Sequence, residues 1–149
     1  MTEPMHLIEG GCHCGNISLS YQTPRPPAEI SIRTCDCSFC TKQGAYYTSH
    51  PQGQLTIIIA DRERVKKYRF ATLTADAWFC TRCGTYVLMT AEIENHLYAA
   101  LNVNCLNELH FNRLTVPALS LGEDSIEQRL SRRQKAWIGT VAILDKTDE

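Results

Sequence analysis

The sequence has no long apolar run, no excess of one charge and no basic, hydrophobic leader. Its longest apolar stretch, Leu97-Tyr98-Ala99-Ala100-Leu101, is five residues, where a bilayer-spanning helix needs about 20. Mean hydropathy is −0.23, so no membrane association is expected. The opening residues Met1-Thr2-Glu3-Pro4-Met5-His6 lack the basic and apolar segments of a secretory signal. The expected home is therefore a reducing compartment, cytosol or nucleus, where disulfides do not persist, with the cytoplasm as the first choice. Lys and Arg number 15 against 16 Asp and Glu, a formal charge of −1. That balance argues against a nucleic-acid partner, which usually meets a basic surface. Low-complexity tracts and interdomain linkers are also absent. With 149 residues, 44% of them hydrophobic, the chain reads as one globular domain over residues 1–149.

What is present in excess is cysteine. There are eight, and seven fall in three tight clusters: Cys12-His13-Cys14, Cys35-Asp36-Cys37-Ser38-Phe39-Cys40 and Cys80-Thr81-Arg82-Cys83. Cysteines one or two residues apart make poor mutual disulfides and good chelating pairs. A tight turn can aim two thiolates at one ion about 2.3 Å from each sulfur. Zinc is the first choice for an all-thiolate site; an iron–sulfur cluster uses the same ligands.

Seven clustered thiolates make one closed four-sulfur site and one three-sulfur site. Two clusters are alike. Cys12-His13-Cys14-Gly15 precedes the strand-like Asn16-Ile17-Ser18-Leu19-Ser20-Tyr21, and Cys80-Thr81-Arg82-Cys83-Gly84 precedes Thr85-Tyr86-Val87-Leu88-Met89. Glycine after the second cysteine suits a knuckle, whose backbone often needs positive φ. Two such knuckles can share an ion, which groups Cys12, Cys14, Cys80 and Cys83. Cys35, Cys37 and Cys40 remain, followed by Thr41-Lys42-Gln43-Gly44 with no knuckle glycine. Three protein ligands leave a fourth position for water or a soft exogenous ligand such as a thiolate, the pattern of catalytic zinc. Closure of this site by Cys105 or by one of the five histidines is the alternative. Seven thiolates carry −7 and two zinc ions +4, so the formal −1 becomes −4.

Strand signals dominate before residue 120. Residues 17–21 and 30–33 alternate. Leu55–Ile59 and Val65–Phe70 flank a polar turn at residues 60–64 and read as a hairpin. Residues 77–79, 86–89 and 96–101 read as further strands. Three prolines at 24, 26 and 27 make a loop. From Glu123 to Trp137 the pattern turns helical, with Ile126, Leu130 and Trp137 near one face and Asp124 or Ser125 as cap. Arg129, Arg132, Arg133 and Lys135 read as a solvated face, with a partner- or phosphate-binding stripe as the alternative. Residues 146–149 read as a frayed tail.

The motifs Gly-Cys-His-Cys-Gly-Asn at 11–16, Cys-Asp-Cys-Ser-Phe-Cys at 35–40 and Phe-Cys-Thr-Arg-Cys-Gly-Thr at 79–85 resemble those of the glutathione-dependent formaldehyde-activating family. That family includes centromere-protein-V-like members. The resemblance covers about residues 10–108, with Tyr68-Arg69-Phe70 and Asn102-Val103-Asn104 included. It implies a mainly β, Mss4-like fold of short antiparallel strands with two zinc knuckles; the C-terminal extension over about 120–149, which carries the expected helix, lies outside the resemblance. It also implies a structural zinc on Cys12, Cys14, Cys80 and Cys83 and a catalytic zinc on Cys35, Cys37 and Cys40. The activity it implies is that of a carbon–sulfur lyase on S-(hydroxymethyl)glutathione, with a small thiol and an aldehyde as partners. Asp36 departs from the histidine or asparagine of many members, and residues 41–47 are closer to the centromere-protein-V-like branch. Arg33, Lys42, Gln43, Tyr46 and Tyr47 are candidate substrate contacts by proximity in sequence. A non-enzymatic zinc module that binds a protein or chromatin partner is the rival reading.

Overall fold

The computed structural model describes residues 4–107, 109–122 and 124–146. Two sheets carry the chain. The first has the order β1 (His6–Gly11), β2 (Ile17–Thr23), β5 (Gln54–Ile59) and β11 (Thr140–Asp145). The second runs β4 (Tyr47–Thr48), β9 (His96–Asn102), β8 (Tyr86–Ile93), β7 (Asp76–Cys80), β6 (Val65–Arg69). A two-stranded ribbon pairs β3 (Thr34–Cys35) with β10 (Ala118–Leu119). Among the described residues two α-helices complete it: α1 (Ser38–Gln43) and α2 (Ile126–Ala136). The expectation of a mainly β fold with a C-terminal helix holds. Most pairings are antiparallel, but β5–β11 and β3–β10 are parallel.

Alternation builds the core. Ile17, Leu19 and Tyr21 on β2 and Leu55, Ile57 and Ile59 on β5 point the same way and are buried. They meet Trp78, Val87, Leu88, Ala99 and Leu101 from the second sheet. Each fully buried large apolar side chain contributes roughly 1.5–3 kcal/mol. The Trp78 indole N–H is satisfied inside this core by the Thr90 hydroxyl at 2.8 Å. Glu94 and Asn95, with φ of 52° and 64°, make the tight turn that joins β8 to β9.

Several sequence expectations need correction. The segments 54–59 and 65–69 are strands, but they do not form a hairpin. β5 pairs with β2 and β11, and β6 pairs with β7 in the other sheet. The turn between them is pinned to the first cysteine knuckle: Asn16 accepts from the Asp61 N–H at 2.8 Å and donates to the Asp61 carbonyl at 3.1 Å. The chain therefore leaves the first sheet at that point. β6 carries Lys66 and Lys67 exposed, as suits an edge strand. The segment 30–33 is extended but unladdered apart from Arg33, which bridges Tyr47; its would-be partner β4 is only two residues long. β11 was not anticipated, although Val141 and Ile143 alternate inward with exposed Ala142 and Leu144. The helix starts at Ile126 with Ser125 as its cap, in a reciprocal capping box with Gln128. Ile126 is half exposed, and Leu130 and Trp137 do the packing, against the cluster of Ala75, Ala91 and Ile93. Of the expected frayed tail, residues 147–149 lie outside the described residues, as does Glu123.

Gly10 sits where β1 crosses the loop after β9. A Cβ there would lie 2.1 Å from the Cys105 carbonyl oxygen and 2.8 Å from the Leu106 Cα. Both are backbone atoms and cannot step aside. Gly10→Ala is expected to lower stability by about 2–3 kcal/mol; urea unfolding checks it, and an unchanged midpoint would show that this crossing is slack.

Candidate metal centres

The first group is assembled from two turns on different sheets. Cys12 and Cys14 lie in the β1–β2 turn, and Cys80 and Cys83 in the β7–β8 turn. Their four sulfurs all lie within 4.8 Å of one another. The Cys12–Cys14 and Cys14–Cys80 sulfur separations are 3.7 and 3.6 Å. A tetrahedron with metal–sulfur bonds of about 2.3 Å has edges of about 3.8 Å, so the thiols are spaced to share one ion. Both turns follow one plan. Gly15 and Gly84 adopt φ of 86° and 81°, as the sequence predicts. The Ile17 N–H points at the Cys12 sulfur at 3.2 Å. Across the turns, the His13 N–H donates to the Thr85 hydroxyl at 3.3 Å, and Thr85 contacts Cys83 Sγ at 3.2 Å. A register shift between Trp78 and Phe79 bends β7 as it enters its knuckle.

The second group sits on one short loop. Cys35 ends β3, Cys37 caps α1, and Cys40 lies inside α1. Their sulfurs also fall within 4.8 Å. The Cys37 N–H points at Cys35 Sγ at 3.5 Å and the Cys40 N–H at Cys37 Sγ at 3.4 Å. Gly44, with φ of 63°, ends α1 and turns the chain back so that Tyr47 pairs with Arg33. The missing knuckle glycine is thus explained: this loop closes through a helix turn, which sequence reading did not anticipate. Among the described residues, no fourth Cys, His, Asp or Glu joins the group. Cys105 belongs to neither group; it is buried and donates to the Tyr86 carbonyl at 3.2 Å.

The thiols of each group differ in acidity. The neighbouring Cys40 thiol, aided by donors from Cys37, brings Cys35 down to about 6 against the effect of burial. Cys40 is pushed up strongly by its partner Cys35 and by burial. In the first group burial pushes Cys12 up to about 12. Cys83 falls to about 5, where burial opposes the shift but the Thr85 hydroxyl and the N–H groups of Cys14 and Thr85 outweigh it. Protein groups alone therefore leave each cluster with both thiolate and thiol. A divalent cation is the partner that would favour full deprotonation.

A tyrosine pair stands behind the second group. The Tyr47 hydroxyl is 3.2 Å from Cys40 Sγ and 2.8 Å from the Tyr86 hydroxyl. Both rings are buried, and burial raises the pKa of each. The two phenols stay protonated, so Tyr47 can donate to a Cys40 thiolate. Tyr86 was not among the sequence candidates; it looked like an ordinary strand residue, and only the cross-sheet contact marks it.

Cys35, Cys37, Cys40 and Tyr47 open onto a cavity of about 770 Å³, within the range of small-molecule sites. Phe70, Met89, Leu119, Leu121 and Trp137 supply apolar wall, and Arg33 lines it as well. Of the five candidate contacts, Arg33 and Tyr47 thus reach the cavity. Lys42 and Gln43 are exposed on α1, and Tyr46 packs against Phe111 at 5.4 Å. The basic residues of α2 do not form a purely solvated face. Arg129, Arg132, Arg133 and Lys135 all line this cavity, and Arg133 is buried. The signal was present: Arg133 falls three residues after Leu130 and four before Trp137, on the packed stripe of the helix.

Comparison with known proteins gives a consistent picture. The sequence model of the family described as "Glutathione-dependent formaldehyde-activating enzyme" matches residues 7–118. A Halomonas elongata protein named "Putative glutathione-dependent formaldehyde-activating enzyme" is 29% identical over 86 residues, 53% of this chain. The matched stretch spans about half (53%) of that relative's length. A crystal structure of a Rhodobacter sphaeroides protein superposes with a TM-score of 0.55 at 29% identity, covering 74% of this chain and 99% of that one.

Replacing Tyr47 by phenylalanine would strip Cys40 Sγ and the Tyr86 hydroxyl of their shared partner in a buried place. Tyr47→Phe is expected to cost about 1–3 kcal/mol in denaturant unfolding, with metal content unchanged. A variant as stable as the parent would mean that the Tyr86 hydroxyl finds another acceptor.

Proposed function

Because the chain belongs to the glutathione-dependent formaldehyde-activating family, whose model matches residues 7–118, we propose that it is a zinc-dependent carbon–sulfur lyase. Its substrate on this reading is a thiol–aldehyde adduct such as S-(hydroxymethyl)glutathione, made or cleaved. In the forming direction the thiol sulfur bonds to the aldehyde carbon, the carbonyl π pair moves to oxygen, and oxygen gains the proton the thiol loses. The same reading takes residues 1–149 as one Mss4-like domain and places it in the cytoplasm, where eight free cysteines stay reduced.

The observation that carries the proposal is the inequality of the two sulfur groups. Cys12, Cys14, Cys80 and Cys83 would enclose a structural zinc. Cys35, Cys37 and Cys40 would hold a second on three sides, at the wall of the cavity. Zinc bound there supplies Lewis acidity that lowers the pKa of an incoming thiol. The chain's own residues do the rest. Tyr47, backed by Tyr86, donates to Cys40 Sγ and so tempers the donation of that thiolate. Phe70, Met89 and Trp137 keep water from the reacting groups. Confinement of thiol and aldehyde in one cavity supplies much of the acceleration, since the chemistry is a simple addition. The rival reading, a non-enzymatic zinc module, rests on an unexplained basic helix and on the resemblance of residues 41–47 to the centromere-protein-V-like branch. That helix lines the cavity, which removes the first of these supports.

Cobalt substitution tests the reading. Glutathione is expected to perturb the absorption of the three-cysteine site and leave the four-cysteine site unchanged; a spectrum indifferent to thiols would rule out the open site. Two variants divide the roles. Cys37→Ser should abolish turnover of glutathione with formaldehyde while the protein stays folded. Cys83→Ser should unfold it, since a structural zinc contributes on the order of 10–16 kcal/mol of apparent binding energy. The opposite pattern would reverse the assignment.

A further inference from the structure

Apart from the three cysteines, the charged side chains that line their cavity are all basic. Arg33, Arg129, Arg132, Arg133 and Lys135 line it, and among the described residues no Asp or Glu does. Arg132 pairs with Asp124; the other four have no carboxylate partner among the described residues. Arg33 donates to the Ser49 hydroxyl at 2.8 Å and Arg129 to the Leu121 carbonyl at 2.9 Å. Arg133 is 6% exposed. One of its amino groups donates to the Thr74 hydroxyl at 2.8 Å, but its Nε has no acceptor. The Trp137 ring, 5.1 Å from its guanidinium carbon, covers one side. A buried cation without a counter-charge is costly, and a fold that keeps one usually has a use for it.

We propose that α2 gives this cavity an anion subsite, in which Arg133, with Arg33 and Arg129 on the same walls, takes a carboxylate of the thiol substrate. The proposal rests on the reading of the three-cysteine group as the place where a thiol reacts. α2 spans Ile126–Ala136, beyond the residues 7–118 that the family model matches, so Arg129 and Arg133 come from the chain's C-terminal extension while Arg33 lies within the matched residues. Arginine dominates it. A planar guanidinium matches a carboxylate through two parallel hydrogen bonds, and Arg133 lines the cavity with its hydrogen-bonding capacity only partly used. The apolar wall formed by Phe70, Met89 and Trp137 lowers the local dielectric and strengthens that contact. The substrate class is therefore a peptide-sized thiol adduct carrying at least one carboxylate, and not a neutral thiol.

Thioethers test the subsite apart from the chemistry, because an S-methyl group blocks reaction at sulfur. Calorimetry on the zinc-loaded protein compares S-methylglutathione with its dimethyl ester. The diacid is expected to bind at least about tenfold more tightly at low salt, with the gap narrowing as salt rises. Arg133→Gln is expected to erase most of that preference while leaving diester binding unchanged. If the buried substitution prevents folding, Arg129→Gln and the ligand-side comparison on the unaltered protein still decide the matter. Equal affinity for acid and ester overturns the subsite, as does tighter binding of a phosphate-bearing thioether, S-methyl-4′-phosphopantetheine, than of the diacid. The two readings fail separately. A diacid preference without turnover of glutathione and formaldehyde keeps the subsite and removes the lyase; equal turnover of glutathione and its diester keeps the lyase and removes the subsite.

Discussion

Four sulfur atoms from two turns meet where the ends of the two sheets come together. The β1–β2 turn brings Cys12 and Cys14, and the β7–β8 turn brings Cys80 and Cys83, within 4.8 Å of one another. Sixty-six residues separate Cys14 from Cys80, so a metal shared by these thiols would close a very long loop of chain. Loop closure of that length costs entropy that weak contacts repay slowly, whereas metal–thiolate bonds repay it at once. The surrounding details serve that contact. The glycines at positive φ let each turn fold back, Thr85 ties one knuckle to the other, and Asn16 anchors the turn that sends the chain from the first sheet to the second.

The second sulfur group depends on the first through the sheet. β7 and β8 leave the shared knuckle as a paired ribbon, and Tyr86 near the start of β8 reaches Tyr47 and, through it, Cys40. The loop of Cys35, Cys37 and Cys40 is otherwise local, made by a two-residue ribbon, a helix turn and a left-handed glycine. A local loop of this kind can present three sulfurs without drawing in a fourth. It can do so because the rigid sheet beneath it, and not a further ligand, fixes its position. The difference between a four-sulfur and a three-sulfur group thus follows from how each is supported.

Much of this was legible in the residues. Clustered cysteines, paired knuckle glycines and alternating strands are short-range signals, and each survives in the fold. What was not legible is pairing. Leu55–Ile59 and Val65–Phe70 look like a hairpin because they are close in sequence, yet Leu55, Ile57 and Ile59 complete the buried face begun by Ile17, Leu19 and Tyr21. The choice was made by the core and not by the turn. β11 escaped notice for a related reason. Thr140–Asp145 follows a helix and lies parallel to β5, a pairing with no local signature. Tyr86 carried no sign of its place beside the second sulfur group, since its partner lies 39 residues away.

The basic helix shows how a residue type misleads when its position is ignored. Arg, Lys and Glu on a helix usually mean solvent, yet of the charged residues of α2 only Glu127 and Lys135 are exposed. Position 133, however, is set by the helical repeat on the stripe that Leu130 and Trp137 bury, and the fold places a guanidinium there. Leucine or methionine at this position would pack without an electrostatic penalty. Thr74 and Trp137 offset only part of the cost of the cation, since Nε is left without an acceptor. A stability argument alone therefore favours an apolar residue at 133. The arginine is accounted for once the space beside it, shared with three cysteine sulfurs, is considered as room for an anion. On that view the family-like core supplies the sulfur chemistry, and the extension beyond it decides which thiols may enter.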